Sequence, residues 1–138
     1  MGKRRKAREL ALQLLYQLDL RGEADPDLHL PEFWTRHAVD DEVRVFTETL
    51  VRGAKLHQPK IDELIRQYAD NWDLERMAVV DRNILREGIF ELLWLAEIPP
   101  KVAINEALEV AKKFSTGEST RFINGILDRV RKEFRPQA

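Results

Sequence analysis

The sequence predicts an all-α protein of about seven helices, and three observations support this class. Apolar residues recur at spacings of three and four along most of the chain, which is the helical period. No stretch alternates apolar and polar residues as a half-buried strand does. Stretches containing Gly or Pro separate the periodic segments. The 138 residues fit a single domain, 1–138, that is long enough to bury its own core.

The first four helices are predicted from apolar stripes and the breaks between them. Gly22 ends the first helix, and Pro31 opens a short second one. Asp40 or Asp41 can cap the third helix, and Pro59 marks the break before the fourth. The first stripe comprises Ala7, Leu10, Ala11, Leu14, Leu15 and Leu18. The third and fourth helices have the stripes Val43, Phe46, Leu50, Ala54 and Ile61, Leu64, Ile65, Tyr68.

Three further helices are predicted in the second half of the chain. Asp73 can cap a long, mostly apolar helix that we expect to be central, and Pro99 ends it. Pro100 can open the sixth helix, and Ser119 can cap the seventh. The dipeptide Asn124-Gly125 is typical of a turn, but the helical period continues through it. We therefore predict an uninterrupted helix in which Gly125 allows another helix to approach closely.

The composition argues against an enzyme, and no cofactor or metal is expected. The chain has no Cys, its six Gly are scattered, and its three His are isolated. Glu106 and Glu109 have a spacing that suits a metal, but exposed helix charges are the favoured interpretation. No apolar run approaches the ~20 residues of a membrane helix, and no secretory signal precedes the first helix. We therefore expect a cytoplasmic protein.

Positive charge is concentrated at the start of the chain. Residues 1–8 contain no acid, and their five cations are Lys3, Arg4, Arg5, Lys6 and Arg8. The net charge of the whole chain is −1, so the remainder carries −6. Cations at a helix N-terminus oppose the helix dipole, which favours an anionic partner over a merely solvated tail. The residues alone leave nucleic acid and a solvated tail open, whereas a membrane surface would require more exposed apolar residues.

A helical wheel of the segment Arg4–Leu20 places an aromatic residue near these cations. Relative to the apolar stripe, the residues that fall on the solvent side are Arg5, Glu9, Leu12 and Tyr16. Arg and Lys neutralise phosphates, and an exposed aromatic ring can stack on a base. The pattern therefore favours single-stranded nucleic acid on this face.

The start of the last helix is a second candidate contact. Helix N-termini bind phosphate through free N–H groups, and Ser119, Thr120 and Arg121 add donors. Phe122 lies at the edge of its stripe. The residues alone favour an ordinary capped helix with Phe122 in the core over a phosphate site.

Several segments resemble the NusB family over essentially the whole chain. The run VAINEALEVAKKF, 102–114, followed by RFINGILDRV, 121–130, resembles the C-terminal signature of that family. The run VVDRNILREGIFELLW, 79–94, and the Arg-rich opening helix are similar too. The resemblance implies a three-helix N-terminal bundle of about 1–58 and a four-helix C-terminal bundle of about 59–138. It also implies transcription antitermination without catalysis, through binding of boxA RNA together with NusE, in support of ribosomal RNA synthesis by the RNA polymerase elongation complex.

The resemblance also implies individual site residues. It assigns RNA binding to the basic opening and to Tyr16, Tyr68, Glu118 and Phe122, with Arg121 adjacent. It places Asp81 and Arg82 on the helix that faces NusE. A homodimer, or an interaction scaffold with only incidental RNA contact, stays an alternative.

Overall fold

The computed structural model describes residues 2–70 and 72–136, and within them the chain forms seven α-helices and no strand. Two short 3₁₀ segments, Pro26–Leu28 and Leu74–Arg76, lie in the connections. The helices are α1 Lys3–Arg21, α2 Leu30–Arg36, α3 Asp41–Leu56, α4 Gln58–Tyr68, α5 Val79–Trp94, α6 Pro100–Phe114 and α7 Gly117–Phe134. The predicted all-α class is confirmed.

Helix α5 is the centre of the molecule. It packs against α1, α3, α4, α6 and α7, and α6 and α7 also pack against each other. This arrangement is consistent with an N-terminal group α1–α3 and a C-terminal group α4–α7. Helices α1 and α3 pack together and both contact α5, so the two groups share an interface. Among the described residues, no helix is long and apolar enough to cross a membrane.

Glycine and proline set several helix ends as predicted. Gly22 ends α1 in the left-handed conformation, at φ 64°, and its N–H donates to the carbonyl of Asp19. Pro31 lies in the first turn of α2, and Pro100 begins α6. α7 continues through Asn124-Gly125, as predicted.

Three local predictions are corrected. Asp73 does not cap the central helix, because the 3₁₀ segment and the extended Met77 intervene, with Met77 buried. Thr116, rather than Ser119, caps α7, since its hydroxyl accepts the N–H of Ser119. Gly125 is not a close approach, because nothing lies near the position of an added Cβ.

The close approach occurs at Gly53 instead. A Cβ added there would overlap the ring of Phe90, so the Phe90 side chain of α5 packs directly on the α3 backbone at this glycine.

Candidate nucleic-acid interface

The N-terminal turns of α1 present three exposed cations. Lys3 pairs with Glu42 at 3.0 Å, and both side chains are exposed. The guanidinium of Arg4 lies 4.2 Å from the centre of the Phe46 ring, a cation–π arrangement that holds the exposed arginine at the surface. Lys6 is exposed and forms no ion pair with the described residues. Exposed pairs are worth only about 0–1 kcal/mol, so phosphate can displace the acid from Lys3.

The other two predicted cations are paired with carboxylates of other helices. Arg5 donates two hydrogen bonds to Glu106, at 2.7 and 3.0 Å, and remains partly exposed. Arg8 is buried and donates to both carboxylate oxygens of Glu91, which is 0% exposed, at 2.7 and 2.9 Å. Hydrogen bonds from Arg5 lower the pKa of Glu106. The predicted RNA contact of Arg8 is therefore corrected to a buried ion pair between α1 and α5.

Tyr16 is exposed on α1, as the wheel predicted, and it lines a cleft. The cleft lies between α1, the start of α5 and the end of α6, and Phe114 also lines it. The side chains of Tyr16 and Phe114 are each 39% exposed. Leu12, predicted to face solvent, is instead buried, because α1 packs against α3 on one side and α5 on another.

Asp81 connects α5 to the turn between α6 and α7. It is buried and accepts hydrogen bonds from the hydroxyls of Ser115, at 2.5 Å, and Ser119, at 2.7 Å. The hydroxyl of Thr120 donates to the carbonyl of Thr116. Asp81, which we expected on the helix facing NusE, is therefore buried where it holds this turn, and the hydroxyls of Ser119 and Thr120, considered above as phosphate donors, are occupied within the chain.

Arg82 likewise has an internal role. Its guanidinium donates to both carboxylate oxygens of Asp19, at 2.7 and 2.8 Å, and both side chains are mostly buried. Asn83 and Arg86 also donate to Asp19, and Arg86 reaches Asp62 on α4. Burial raises the pKa of Asp19, but the hydrogen bonds of Arg82 and Asn83 outweigh it and lower the pKa to about 2. Arg82, predicted to contact the partner, is thus held in this network, and 16% of its side chain stays exposed.

Three residues at the start of α7 have side chains that are at least partly exposed to solvent. Glu118 and Arg121 are exposed, and Phe122 is half-buried. The ring of Phe122 meets the ring of Trp72 edge to face, at 5.9 Å between centres. Trp72 is 59% exposed, and the two rings line a cleft of about 360 Å³ with Arg121.

Tyr68 does not provide the aromatic surface predicted for it. Its side chain is 6% exposed at the end of α4, and the Arg129 guanidinium lies 4.9 Å from its ring centre. Tyr68 nevertheless lines the same cleft as Trp72 and Phe122, and Trp72 is the exposed aromatic there. The signal for Trp72 was its position in a polar connection, outside any apolar stripe, between Asp70 and Asp73.

Four exposed or half-buried aromatic side chains line two clefts, and we call them the aromatic track. They are Tyr16, Phe114, Phe122 and Trp72. The first two share one cleft, and the last two share another. The turn held by Asp81 connects Phe114 to α7, so the two clefts are joined through one fixed connection.

The described residues contain no group of three or more His, Asp or Glu side chains arranged to hold a metal ion. The spacing of Glu106 from Glu109 was considered above as suited to a metal. The carboxylate of Glu106 instead accepts two hydrogen bonds from Arg5.

Comparisons with known proteins agree on one family. The family model described as "NusB family" matches residues 5–132. The transcription antitermination protein NusB of Desulfosudis oleivorans is 44% identical over 135 residues, which cover 96% of this chain and 88% of that one. A solved structure of T. maritima NusB has 39% identity and a TM-score of 0.87, covering 97% of this chain and 94% of that one.

A second solved structure contains the antitermination factors NusB and NusE in complex with dsRNA. Its matching chain is 29% identical, with a TM-score of 0.87, and the match covers 97% of this chain and 99% of that one. The family match spans nearly all of the helices described above, and the relatives are covered over most of their length. This chain therefore belongs to the NusB family.

Proposed function

We propose that this protein is a transcription antitermination factor that binds boxA-type single-stranded RNA together with NusE. Two findings support the proposal: the family to which the chain belongs, and a relative of the same fold that has been solved with NusE and RNA. We further propose that the complex acts on the RNA polymerase elongation complex and supports ribosomal RNA transcription. Binding and positioning of RNA, without catalysis, is the activity we assign.

The observation that carries the proposal is the combination of exposed cations with exposed aromatic rings. Lys3, Arg4 and Lys6 offer charge to phosphates at one end of α1. The aromatic track begins about three turns further along the helix, at Tyr16. Cations that follow a backbone, beside rings that stack on bases, are the pattern of single-strand recognition. The bases of a duplex are already stacked on one another, so they cannot also stack on these aromatic rings.

RNA-binding titrations test this proposal. Fluorescence anisotropy would compare a boxA RNA, a scrambled RNA and a boxA duplex, each with and without NusE. We expect boxA single strands to bind most tightly, and NusE to increase that affinity. Equal affinity for boxA and scrambled RNA would contradict sequence selectivity, and preference for the duplex would contradict single-strand recognition.

Self-association as a scaffold is a second candidate, favoured by exposed apolar side chains on α3. Val45 and Leu56 are both more than half exposed. Exposed apolar residues that form a patch can indicate a protein interface. Light scattering with and without saturating RNA distinguishes the two functions. A dimer that is unchanged by RNA would favour the scaffold, and a monomer throughout would exclude it.

A further inference from the structure

Helix α3 presents two of its apolar side chains to solvent, on the face opposite its buried residues. Val45 is 65% exposed and Leu56 is 75% exposed. They are eleven residues apart, about three turns, so their directions around the helix differ by only about 20°. Thr49 lies between them on the same face, and its hydroxyl donates to the carbonyl of Val45, so it already has a partner.

Arg52 also lies on this face, and its charge is compensated within the chain. Its guanidinium donates to Asp27 at 2.9 Å and to Glu48 at 2.8 Å. The apolar stem of an arginine can cover apolar surface while its head keeps such partners. We call the four residues the α3 stripe; they are Val45, Thr49, Arg52 and Leu56.

A groove of about 320 Å³ lies beside the N-terminal half of the α3 stripe. Its apolar lining is Val45, Phe46 and Leu95, so the groove runs between α3 and the residue that follows α5. The remaining lining is Thr49 with two acids and two cations, Glu42, Glu97, Lys3 and Arg4. Because these four charges balance, the groove suits an uncharged apolar side chain.

The charge pattern around α3 identifies an occupant. Residues 40–48 contain four acids and one cation, whereas residues 49–61 contain three cations and no acid. Two copies of α3 packed antiparallel would place the acidic start of each against the basic end of the other, and parallel packing would place like charges together. When the antiparallel helices are aligned at their middles, Leu56 of one copy lies opposite Val45 of the other, at the groove.

We infer that the α3 stripe binds a second copy of this chain, with the two α3 helices antiparallel about a two-fold axis and Leu56 of each copy seated in the groove beside Val45 of the other. The inference rests on self-association, the second function proposed above, and assigns it an interface. Such a pairing uses the same surface on both copies, so assembly stops at the dimer. No residue of the α3 stripe belongs to the aromatic track, so a dimer of this kind leaves the track open to RNA.

Disulfide cross-linking tests the alignment, because the chain has no Cys and every thiol is one that is introduced. A disulfide requires Cα atoms within about 7 Å. Position 45 of one copy meets position 56 of the other, whereas two copies of either position lie about 16 Å apart along the helices. Val45→Cys and Leu56→Cys, mixed and oxidised with glutathione disulfide, should therefore form a 45–56 cross-link, identified by mass spectrometry, and neither variant alone should cross-link. Leu20→Cys, at a position of α1 that is 61% exposed, is the control and should not cross-link to Leu56→Cys.

Sedimentation equilibrium without RNA measures the association itself. We expect the wild-type chain to shift from monomer to dimer as its concentration rises. Leu56→Glu should weaken the dimer by at least about 10-fold, because each dimer then buries two charges that have no partner. Leu20→Glu places the same charge at a similarly exposed leucine and should leave association unchanged. Both positions are exposed, so circular dichroism should show both variants folded.

Each contrary result has its own meaning. A wild-type chain that stays monomeric at every concentration contradicts self-association itself and, with it, the inference. A dimer that Leu56→Glu leaves unchanged retains self-association but overturns this interface, and a cross-link formed by Leu56→Cys alone overturns the antiparallel alignment. Failure to distinguish boxA from scrambled RNA, measured at concentrations where the chain is monomeric, contradicts the RNA-binding function alone.

Discussion

The substitution Arg8→Met distinguishes a structural role of the basic helix from an RNA-binding one. It replaces the buried guanidinium with an apolar side chain of similar length and leaves Glu91 buried without its partner. Breaking a buried ion pair by removing one partner costs about 3–5 kcal/mol. For a chain of this size, that cost lowers the melting temperature by about 10–20 °C.

Thermal and urea unfolding, followed by circular dichroism, measure this loss. Lys6→Met is the control: it removes a cation two residues away on the same helix, at an exposed position, so we expect a change within about 0.5 kcal/mol. In the double variant Arg8→Met, Glu91→Gln, the buried charge that has lost its partner is removed as well. We therefore expect it to regain part of the stability, which identifies the pair as the cause.

RNA binding, measured well below the melting temperature, gives the opposite pattern. Lys6→Met should reduce the log–log salt slope by ~0.7, the value for one neutralised phosphate on a single strand. Arg8→Met should leave the slope unchanged. If Arg8→Met unfolds like the wild type and lowers the slope, the assignment of Arg8 to the interior is refuted.

Three further expectations concern pH and the aromatic track. Asp19→Asn should cost roughly 1.5–3 kcal/mol at neutral pH in urea unfolding, since charged hydrogen bonds are lost. Because the pKa of Asp19 is lowered, its carboxylate stabilises the fold above about pH 3.8, and this stability is lost as the pH falls toward 2. The difference in unfolding free energy between Asp19→Asn and the wild type should therefore shrink at low pH. A difference that stays constant would contradict the lowered pKa. Burial raises the pKa of Glu87 well above 4.5. The contribution of its protonated carboxyl to the free energy of unfolding is therefore full below pH 4.5 and is lost as the pH rises. Glu87→Gln should flatten this decline in unfolding free energy across a pH series. Trp72→Ala should weaken RNA binding by about 5- to 150-fold without changing the melting temperature, and an unaltered affinity would remove Trp72 from the interface.

The positions of the helices were predictable because helix formation is local. Apolar spacing and the residues Gly22, Pro31 and Pro100 lie within a few positions of the helix ends that they determine. The cap of α7 was not predictable in the same way. Ser119 has the right residue type, but its hydroxyl binds Asp81, 38 residues earlier, and Thr116 takes the capping position.

Exposure at the candidate site was predicted correctly only where it followed from a single helix. The wheel assumed that α1 has one buried face, which holds for Tyr16 but fails for Leu12, because α1 packs against more than one helix. Arg8 looked like part of a basic surface because its partner, Glu91, is 83 residues away in the chain. A buried ion pair carries no local signal that separates it from two solvated charges.

Two polar anchors explain how α1 presents one particular face to solvent. Arg8 pairs with Glu91, and Asp19 pairs with Arg82, so both anchors join α1 to α5. Arg8 and Asp19 are eleven residues apart, about three turns, and their directions differ by only about 20°. Buried ion pairs add little net stability compared with apolar packing, but they are satisfied in only one register. Rotating α1 by one residue would leave both pairs broken, whereas its leucines could repack. The anchors therefore set the rotation of α1, and with it the direction in which Tyr16 faces the cleft.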